Sequence, residues 1–161
     1  MSNQNNETML RALGWKSSFA DLRSAHLAEP DRSLHRVTEV QRTGLIVAPP
    51  LSGARSNVPI SGKWFQRPER ERPTVGDWVV LDTTDGKLLE VLPRSSLLAR
   101  LSPAGNRTLQ LIAANVDSAF VVTSCNADFN VPRLERYVSV VLEAGIEPVI
   151  VLTKIDQTPD P

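Results

Sequence analysis

Cysteine, histidine and aromatic residues are scarce in this chain. Its 161 residues include one cysteine, Cys125, and two histidines, His26 and His35, and aromatic residues make up only 5%. A single cysteine excludes an internal disulfide framework and is typical of a reducing compartment, so we expect a cytoplasmic protein. With only one cysteine and two histidines to serve as ligands, we also expect no zinc site within the chain.

Long apolar runs are missing as well. No stretch approaches the roughly 20 apolar residues of a membrane-spanning helix, and the polar start, residues 1–6, lacks the charged and apolar regions of a signal peptide. We therefore expect no membrane segment. With 41% apolar and 22% charged residues, the composition is typical of a globular protein with one ordinary domain or two small ones.

The formal net charge of zero hides an asymmetry along the chain. Residues 35–104 carry 10 basic and 7 acidic side chains, whereas residues 105–161 carry 4 basic and 7 acidic ones. A mildly basic middle and an acidic end indicate two modules, and favour a polyanion as the partner of the first. An ordinary solvated surface is the alternative explanation of the same charges.

Residues 1–34 are predicted to form an N-terminal extension. Their apolar residues predict two short helical turns that dock on the next domain, interrupted by Gly14 and by the serines at 17 and 18. The apolar positions are Leu10, Leu13, Phe19, Leu22 and Leu27. We interpret Trp15 and Phe19 as packing anchors rather than as ligand contacts.

Residues 35–102 change to short β segments separated by turn signals. We predict strands at about 35–48, 58–65, 77–82, 86–92 and 96–102. The Asp85-Gly86 pair is a hairpin signal between two of them. Five short strands over this length predict an all-β barrel, for which the five-stranded OB-fold is favoured and an SH3-like barrel is the alternative.

A charged loop, defined here as residues 66–73, follows Trp64 and Phe65 within this barrel. Arginines beside aromatic residues can clamp and stack RNA, as OB-folds commonly do. The alternative is that Trp64 lies in the core and that the arginines pair with glutamates in solvent. We expect Trp64 to be buried, and we leave RNA contact open for Lys63, Arg67, Arg70 and Arg72.

Residues 103–110 are predicted to be a linker, and residues 111–161 to begin an α/β domain. Residues 119–122 form an apolar run that predicts a buried strand, and residues 149–152 form another. Between them Asn130 and Pro132 indicate a helix start, and Gly145 lies where a C-terminal glycine belongs. The pattern predicts a βαβ unit with a right-handed crossover.

The second of these strands stops at Thr153-Lys154-Ile155-Asp156. In open α/β sheets, ligands bind just beyond the carboxyl ends of the strands. The Asp156 carboxylate can accept two parallel N–H bonds, which guanine offers through its ring N–H and its exocyclic amine, while the Lys154 stem lies over the ring. This pattern indicates purine recognition, and a capped turn after a strand is the alternative.

Several further stretches accompany this one along the chain. They are Leu13-Gly14-Trp15, Val75-Gly76-Asp77-Trp78-Val79, Val91-Leu92-Pro93-Arg94, Ile112-Ala113-Ala114-Asn115-Val116-Asp117, Asp128-Phe129-Asn130 and Arg133-Leu134-Glu135-Arg136-Tyr137. Through them the chain resembles the ribosome small-subunit-dependent GTPase A family (the RsgA/YjeQ type) over about residues 10–157. The resemblance implies an OB-fold-like barrel followed by the first, truncated part of a circularly permuted P-loop GTPase domain.

The resemblance also implies a function. Thr153, Lys154, Ile155 and Asp156 would bind the guanine of GTP. Thr153 stands where the family usually has Asn, so it keeps a hydroxyl but lacks the amide that would tether the phosphate loop or contact guanine O6. The full-length protein would be a cytoplasmic, monomeric GTP hydrolase that binds the small (30S) ribosomal subunit and its 16S rRNA, acts in late subunit maturation, and releases GDP.

One motif of such an enzyme is missing from these residues. The chain contains no G-x-x-x-x-G-K-[ST] phosphate loop. Without its amides, its lysine and a Mg²⁺ ligand, phosphoryl transfer has no electrostatic support. We therefore expect the chain alone to be inactive, with Mg²⁺ and Zn²⁺ held by a missing C-terminal part. The alternative function is that of a stand-alone OB-fold rRNA-binding module without catalytic activity.

Overall fold

The computed structural model describes residues 8, 10–16, 19, 30–49, 54–102 and 108–157. The chain divides into two compact units, Met1–Arg94 and Ser95–Pro161. None of the helices in these ranges combines the length and the apolar character needed to cross a membrane. Leu22, Leu27 and residues 103–107 of the predicted linker lie outside the described residues.

The first unit is built on one antiparallel sheet with the strand order β3-β2-β1-β4-β5. Between β3 and β4 the chain forms a short helix, α1, and a 3-10 turn at Glu69–Glu71. The sheet and its turns confirm the prediction of an all-β, OB-fold-like domain. The elements are β1 (Arg32–Val40), β2 (Gly44–Ala48), β3 (Ser56–Pro59), α1 (Gly62–Phe65), β4 (Trp78–Asp82) and β5 (Leu88–Val91).

The strands of this sheet differ from the predicted ones in three places. The segment 35–48 is two strands with a turn at 41–43, and the segment 58–65 leaves the sheet after Pro59 to form α1. Trp64 reaches the core from the single helical turn of α1, as it would from a strand. The alternation of apolar residues therefore did not distinguish this turn from a strand. The segment 96–102 contains β6 (Leu97–Leu101), which pairs with β7 (Leu109–Ala114) in the second unit and not with the barrel sheet.

Strand β4 is buried on both faces of the sheet. Because side chains alternate along a strand, Val79 and Leu81 pack into the core with α1, while Trp78 and Val80 pack against the N-terminal segment. This explains why an antiparallel strand has the continuous apolar sequence that is otherwise typical of parallel sheets.

A helical turn in the N-terminal segment, at residues 10–14, ends in a Schellman motif. The Trp15 amide donates to the Leu10 carbonyl, and the amide of Gly14, whose φ is +84°, donates to the Arg11 carbonyl. The Trp15 ring then meets the Trp78 ring edge-on, with centroids 4.8 Å apart. Trp15 and Phe19 are both buried, which confirms that they are packing anchors.

The second unit contains a hairpin and a βαβ unit. Strands β6 (Leu97–Leu101) and β7 (Leu109–Ala114) are antiparallel. Strands β8 (Ser118–Ser124) and β9 (Glu147–Thr153) are parallel and are connected by α2 (Val131–Glu143). The sequence therefore predicted the βαβ unit correctly, and the α/β start of the second domain is confirmed.

Both ends of α2 carry the signals that the sequence indicated. Asn130 caps its start, since its side chain accepts a 2.8 Å hydrogen bond from the Arg133 amide. After its end Gly145 adopts a φ of +70°, and the Ile146 amide returns to the Val141 carbonyl. Both ends of α2 are therefore capped by hydrogen bonds to the backbone groups that its first and last turns leave unpaired.

The two parallel strands are less buried than predicted. Val121 packs with residues of α2 and is buried, whereas Phe120, which points to the other face, is 74% exposed and Ile150 of β9 is 51% exposed. Val121 shares its core cluster with Val141 of α2 and with Ile146, and the exposed apolar side chains of the two strands lie outside this cluster. The division of the chain after Arg94 lies within the segment 35–102; the functional domain boundaries at 102 and 111 stay predictions.

Candidate functional site

The carboxyl ends of β8 and β9 are fastened together at one edge. The Thr153 hydroxyl donates to the Thr123 carbonyl at 3.1 Å, and the Thr153 carbonyl accepts a 2.9 Å bond from the Cys125 amide. Both hydrogen bonds join the carboxyl end of β8 to the carboxyl end of β9. Thr153 therefore fixes the position from which the following turn leaves the sheet.

The turn after Thr153 has an uncommon backbone. Lys154 has a φ of +56°, in the left-handed region that costs a non-glycine residue roughly 1–2 kcal/mol. A 3-10 turn, Ile155–Gln157, follows and is closed by a 3.0 Å bond from the Gln157 amide to the Lys154 carbonyl. Strained backbone of this kind is enriched at ligand sites.

Lys154 and Asp156 both present exposed side chains at this edge. Neither side chain forms a hydrogen bond or an ion pair within the described ranges. Ile155 between them is 52% exposed. A carboxylate with unoccupied acceptor positions beside a lysine is suited to a ligand that offers two parallel N–H donors, and guanine is such a ligand.

A groove of about 420 Å³ lies between β8 and α2 in the same unit. None of the residues that the sequence singled out for binding lines it. Its polar wall includes Asp128, whose carbonyl accepts a 2.6 Å bond from the Arg133 guanidinium. The lining residues are Val121, Val122, Thr123, Ser124, Asp128, Arg133, Leu134 and Tyr137.

The charged loop in the first unit divides into inward and outward side chains. Trp64 is 1% exposed and belongs to the barrel core, as predicted. The Arg67 guanidinium lies 4.3 Å from the centroid of the Trp64 ring, and its Nη1 is 4.0 Å from Glu71 Oε2. Lys63 and Arg70 are exposed and make no side-chain hydrogen bond or ion pair with other described residues.

Arg72 differs from the other basic residues of the loop. Its Nε donates to the Arg67 carbonyl at 3.1 Å, and its Nη2 donates to the Phe65 carbonyl at 2.9 Å. Two of its donor groups are thus used inside the loop. Arg67, Arg70 and Arg72 lie on one segment, but the Arg72 side chain bonds to backbone carbonyls, which the sequence did not indicate.

Asp77 and Arg94 form a buried ion pair beneath this loop. Arg94 Nε donates to Asp77 Oδ1 and Arg94 Nη2 to Asp77 Oδ2, each at 2.7 Å. The Asp77 side chain is fully buried and the Arg94 side chain is 12% exposed. Sequence reasoning did not assign either residue to a site, although an aspartate in an apolar strand start requires a buried partner.

No group of three or more histidine, cysteine, aspartate or glutamate side chains gathers in the ranges that the structure describes. The two candidate sites are an exposed Lys-x-Asp turn at the edge of the β8–β9 sheet and the charged loop of the first unit.

The fold of this chain is similar to that of two solved proteins, YloQ and YjeQ. Over 80% of this chain and 43% of the other, the fold is similar to the crystal structure of YloQ, a circularly permuted GTPase, with a TM-score of 0.56 and 25% identity. YjeQ from Thermotoga maritima shares the fold with a TM-score of 0.58 over 79% of this chain and 43% of that one, at 20% identity.

Comparison of sequences shows which proteins the chain is similar to. Residues 91–161 match the model of the RsgA GTPase family. The chain is 39% identical to the small ribosomal subunit biogenesis GTPase RsgA of Xylella fastidiosa (strain M23), over 92% of this chain and 46% of that protein. It is 40% identical to RsgA of Xanthomonas oryzae pv. oryzae (strain PXO99A), over 89% and 38%.

The predicted resemblance is thereby confirmed: the chain is related to the RsgA GTPases. It spans less than half the length of the curated relatives that it matches.

Proposed function

We propose that the protein containing this chain is a GTPase that binds the small ribosomal subunit, acts in its late maturation, and hydrolyses GTP at its full length. The observation that carries the proposal is the turn from Thr153 to Asp156, where an exposed lysine and carboxylate lie at the carboxyl edge of a parallel sheet. The names of the relatives support the activity and the subunit as partner.

In this proposal Asp156 reads the base. Its two carboxylate oxygens accept the ring N–H and the amine of guanine, and adenine does not offer this donor pair. The Lys154 stem covers the ring. Because the Thr153 hydroxyl is bonded to the Thr123 carbonyl, Thr153 supports the turn that carries Lys154 and Asp156.

The chemistry of hydrolysis needs groups that these 161 residues do not include. The phosphate-loop motif is absent from the sequence, and a loop of that kind supplies the amides and the lysine that stabilise the transferred phosphoryl group. We propose that GTP is the ligand, that Mg²⁺ accompanies its phosphates, and that any Zn²⁺ is bound outside these residues. The chain alone then binds without hydrolysing.

The barrel is proposed to contact 16S rRNA through the charged loop. Lys63, Arg67 and Arg70 present exposed cationic groups on one segment, which is suited to a phosphate backbone. A protein with this partner works where ribosomal subunits mature, so we propose a cytoplasmic monomer. The alternative, an rRNA-binding module without catalysis, uses the same loop and leaves the Lys-x-Asp turn without a role.

The first prediction concerns Asp156. We expect Asp156→Asn in the full-length protein to weaken GDP binding by at least about tenfold, or 1.4 kcal/mol, because the Asn amide repels one guanine donor. The same change should improve binding of xanthosine diphosphate, whose base offers one donor and one acceptor. Fluorescent nucleotide titration measures both affinities.

Glu143→Gln, at an exposed carboxylate on α2, is the matched control and should leave both affinities unchanged. If the Asp156→Asn protein binds GDP and XDP with the affinities of the parent, Asp156 does not take part in base recognition. Subunit binding by a parent protein that shows no preference between GTP and ATP would favour the binding-module alternative.

The second prediction concerns the charged loop. Replacing Lys63, Arg67 and Arg70 together with Ala should weaken binding to purified small ribosomal subunits, because phosphate contacts are lost. Each lost contact should also reduce the slope of log affinity against log salt concentration by about one. The affinity is measured over a range of salt concentrations. The control removes Arg42, Arg55 and Lys87, which is the same charge from exposed positions elsewhere in the unit.

The control should lower affinity less and should largely retain the salt dependence. If the two triple variants bind alike, net charge and not the loop accounts for the attraction, and the assignment of the loop to rRNA contact is wrong.

A further inference from the structure

We propose that the buried Asp77–Arg94 pair and Arg72 form a brace that holds the charged loop in its binding conformation, so that Arg72 is a positioning residue and not an RNA contact. This inference rests on the proposed subunit binding and adds to it the groups that pre-organise the surface. It concerns only residues of the first unit.

The brace begins in the sheet. The Asp77 carbonyl accepts a 2.9 Å bond from the Val37 amide of β1, and Asp77 Oδ2 accepts a 2.7 Å bond from the Thr74 amide. With two further bonds from Arg94, the carboxylate is held from several sides. The acid is therefore a fixed point of the barrel, to which the arginine is attached in two places.

The remaining donors of Arg94 reach the charged loop. Its Nη2 also donates to the Arg72 carbonyl at 2.6 Å, and its Nη1 donates to the Arg70 carbonyl. One guanidinium thus joins a buried carboxylate to two backbone carbonyls of the loop. Only a planar group with several donors in fixed directions can make all these bonds at once.

Arg72 continues the brace on the other side of the loop. It donates to the carbonyls of Phe65 and Arg67, at the end of α1 and at the start of the loop. The backbone carbonyls are thereby directed inward onto guanidinium groups. The side chains of Lys63, Arg67 and Arg70 are left on the outside, where they are exposed.

A buried ion pair alone contributes little net stability, because desolvation offsets its attraction. Here the pair has a second consequence, since it fixes a segment that would otherwise lose conformational freedom on binding. A loop that is already ordered binds its partner more tightly than one that must become ordered. We therefore expect the brace to strengthen subunit binding, in addition to any effect that it has on the stability of the fold.

The test uses substitutions that preserve charge. Arg94→Lys and Arg72→Lys keep the cation but lose the fork of donors, whereas a simple electrostatic role would survive both. We expect each to weaken binding to purified small ribosomal subunits by roughly tenfold. Arg42→Lys, at an exposed position between β1 and β2, is the control and should bind like the parent.

The rate of cleavage by trypsin reports how well the charged loop is ordered. Within the charged loop only the Arg70–Glu71 bond is a substrate, since Arg67 and Arg72 are each followed by proline. Cleavage after Arg70 should be slow in the parent and the Arg42→Lys protein and several times faster in both brace variants. Mass spectrometry identifies the cut.

Val80→Ala separates this effect from lower overall stability. Val80 is buried on the other face of the sheet, so the variant should unfold more easily yet bind subunits like the parent. If Arg94→Lys does not fold, Arg72→Lys, which lies on the loop surface, decides the question. Parent-like affinity and parent-like cleavage in the folded brace variants overturn the inference; a parent that does not bind subunits overturns the proposed function instead.

Discussion

Individual buried polar residues organise both units of this protein. Both carboxylate oxygens of Asp77 accept hydrogen bonds, from Arg94 and from the Thr74 amide. In the second unit Asn115 is 7% exposed with a φ of +56°, and its side chain accepts a 2.8 Å bond from the Ser95 amide. Because burial of an unpaired polar group is costly, such residues fix the backbone segments that satisfy them.

His35 is a different case at the same scale. Its Nε2 lies 3.0 Å from the Ser33 hydroxyl, while its buried Nδ1 has no hydrogen-bond partner within the described residues. Burial lowers the pKa of the His35 imidazole below its ordinary value. The folded protein therefore disfavours the charged ring that the unfolded chain forms readily in mild acid.

The third prediction follows from that shift. Because the unfolded state binds the proton more tightly, the free energy of unfolding should fall as pH drops through the unfolded histidine pKa of about 6.5. Denaturant unfolding between about pH 7.5 and about pH 5.5 measures the loss. It should be smaller in His35→Gln, which keeps a hydrogen-bonding group but does not titrate.

His26 is present in both proteins, so its contribution cancels in the comparison. If the parent and His35→Gln lose the same stability over this range, the burial of His35 has no role in the acid sensitivity of the fold.

At the scale of elements, the Schellman turn at residues 10–15 attaches the N-terminal segment to the barrel. Its Gly14 has a φ of +84°, and an added Cβ would lie 3.0 Å from Arg36 Nη1. The same Arg36 atom donates a 2.9 Å bond to the Leu13 carbonyl. The turn, the arginine and the packing of Trp15 on Trp78 therefore depend on one another.

The fourth prediction tests this turn. Gly14→Ala should lower the free energy of unfolding by about 1–2 kcal/mol, because an alanine is strained in the left-handed region and its methyl group displaces Arg36. Gly62→Ala is the control: it has ordinary φ, and an added Cβ meets no atom within 4 Å.

Gly62→Ala should therefore change stability by less than about 0.5 kcal/mol. Denaturant unfolding followed by tryptophan fluorescence gives both values. Equal effects of the two substitutions would mean that the turn does not stabilise the docked segment.

Elements of different length were predictable to different degrees. The long α2 and the strands around it have caps and periodicity over many residues, which the sequence displays directly. The short α1 has only four residues, too few for a helical period to be distinguished from strand alternation. Its position was decided by the burial of Trp64, which is a tertiary interaction.

At the scale of the whole molecule, the chain combines two units with separate cores. The β6 segment was assigned to the barrel from its apolar residues, yet it pairs with β7. Strand partners are set by contacts that are distant in sequence, so local propensity cannot select between them. The same holds for Phe120, which its sequence cannot distinguish from the buried Val121 next to it.

The sequence by itself determined the class of fold, the βαβ unit and the position of the Thr153–Asp156 turn. These depend on local patterns: apolar periodicity, capping residues and a short motif that ends a strand. Only the tertiary structure decided how the charged loop is held, because the partners Asp77, Arg72 and Arg94 meet through the sheet and not along the chain. Side chains that act through a buried contact have no local signature, and their role emerges only when the chain is folded.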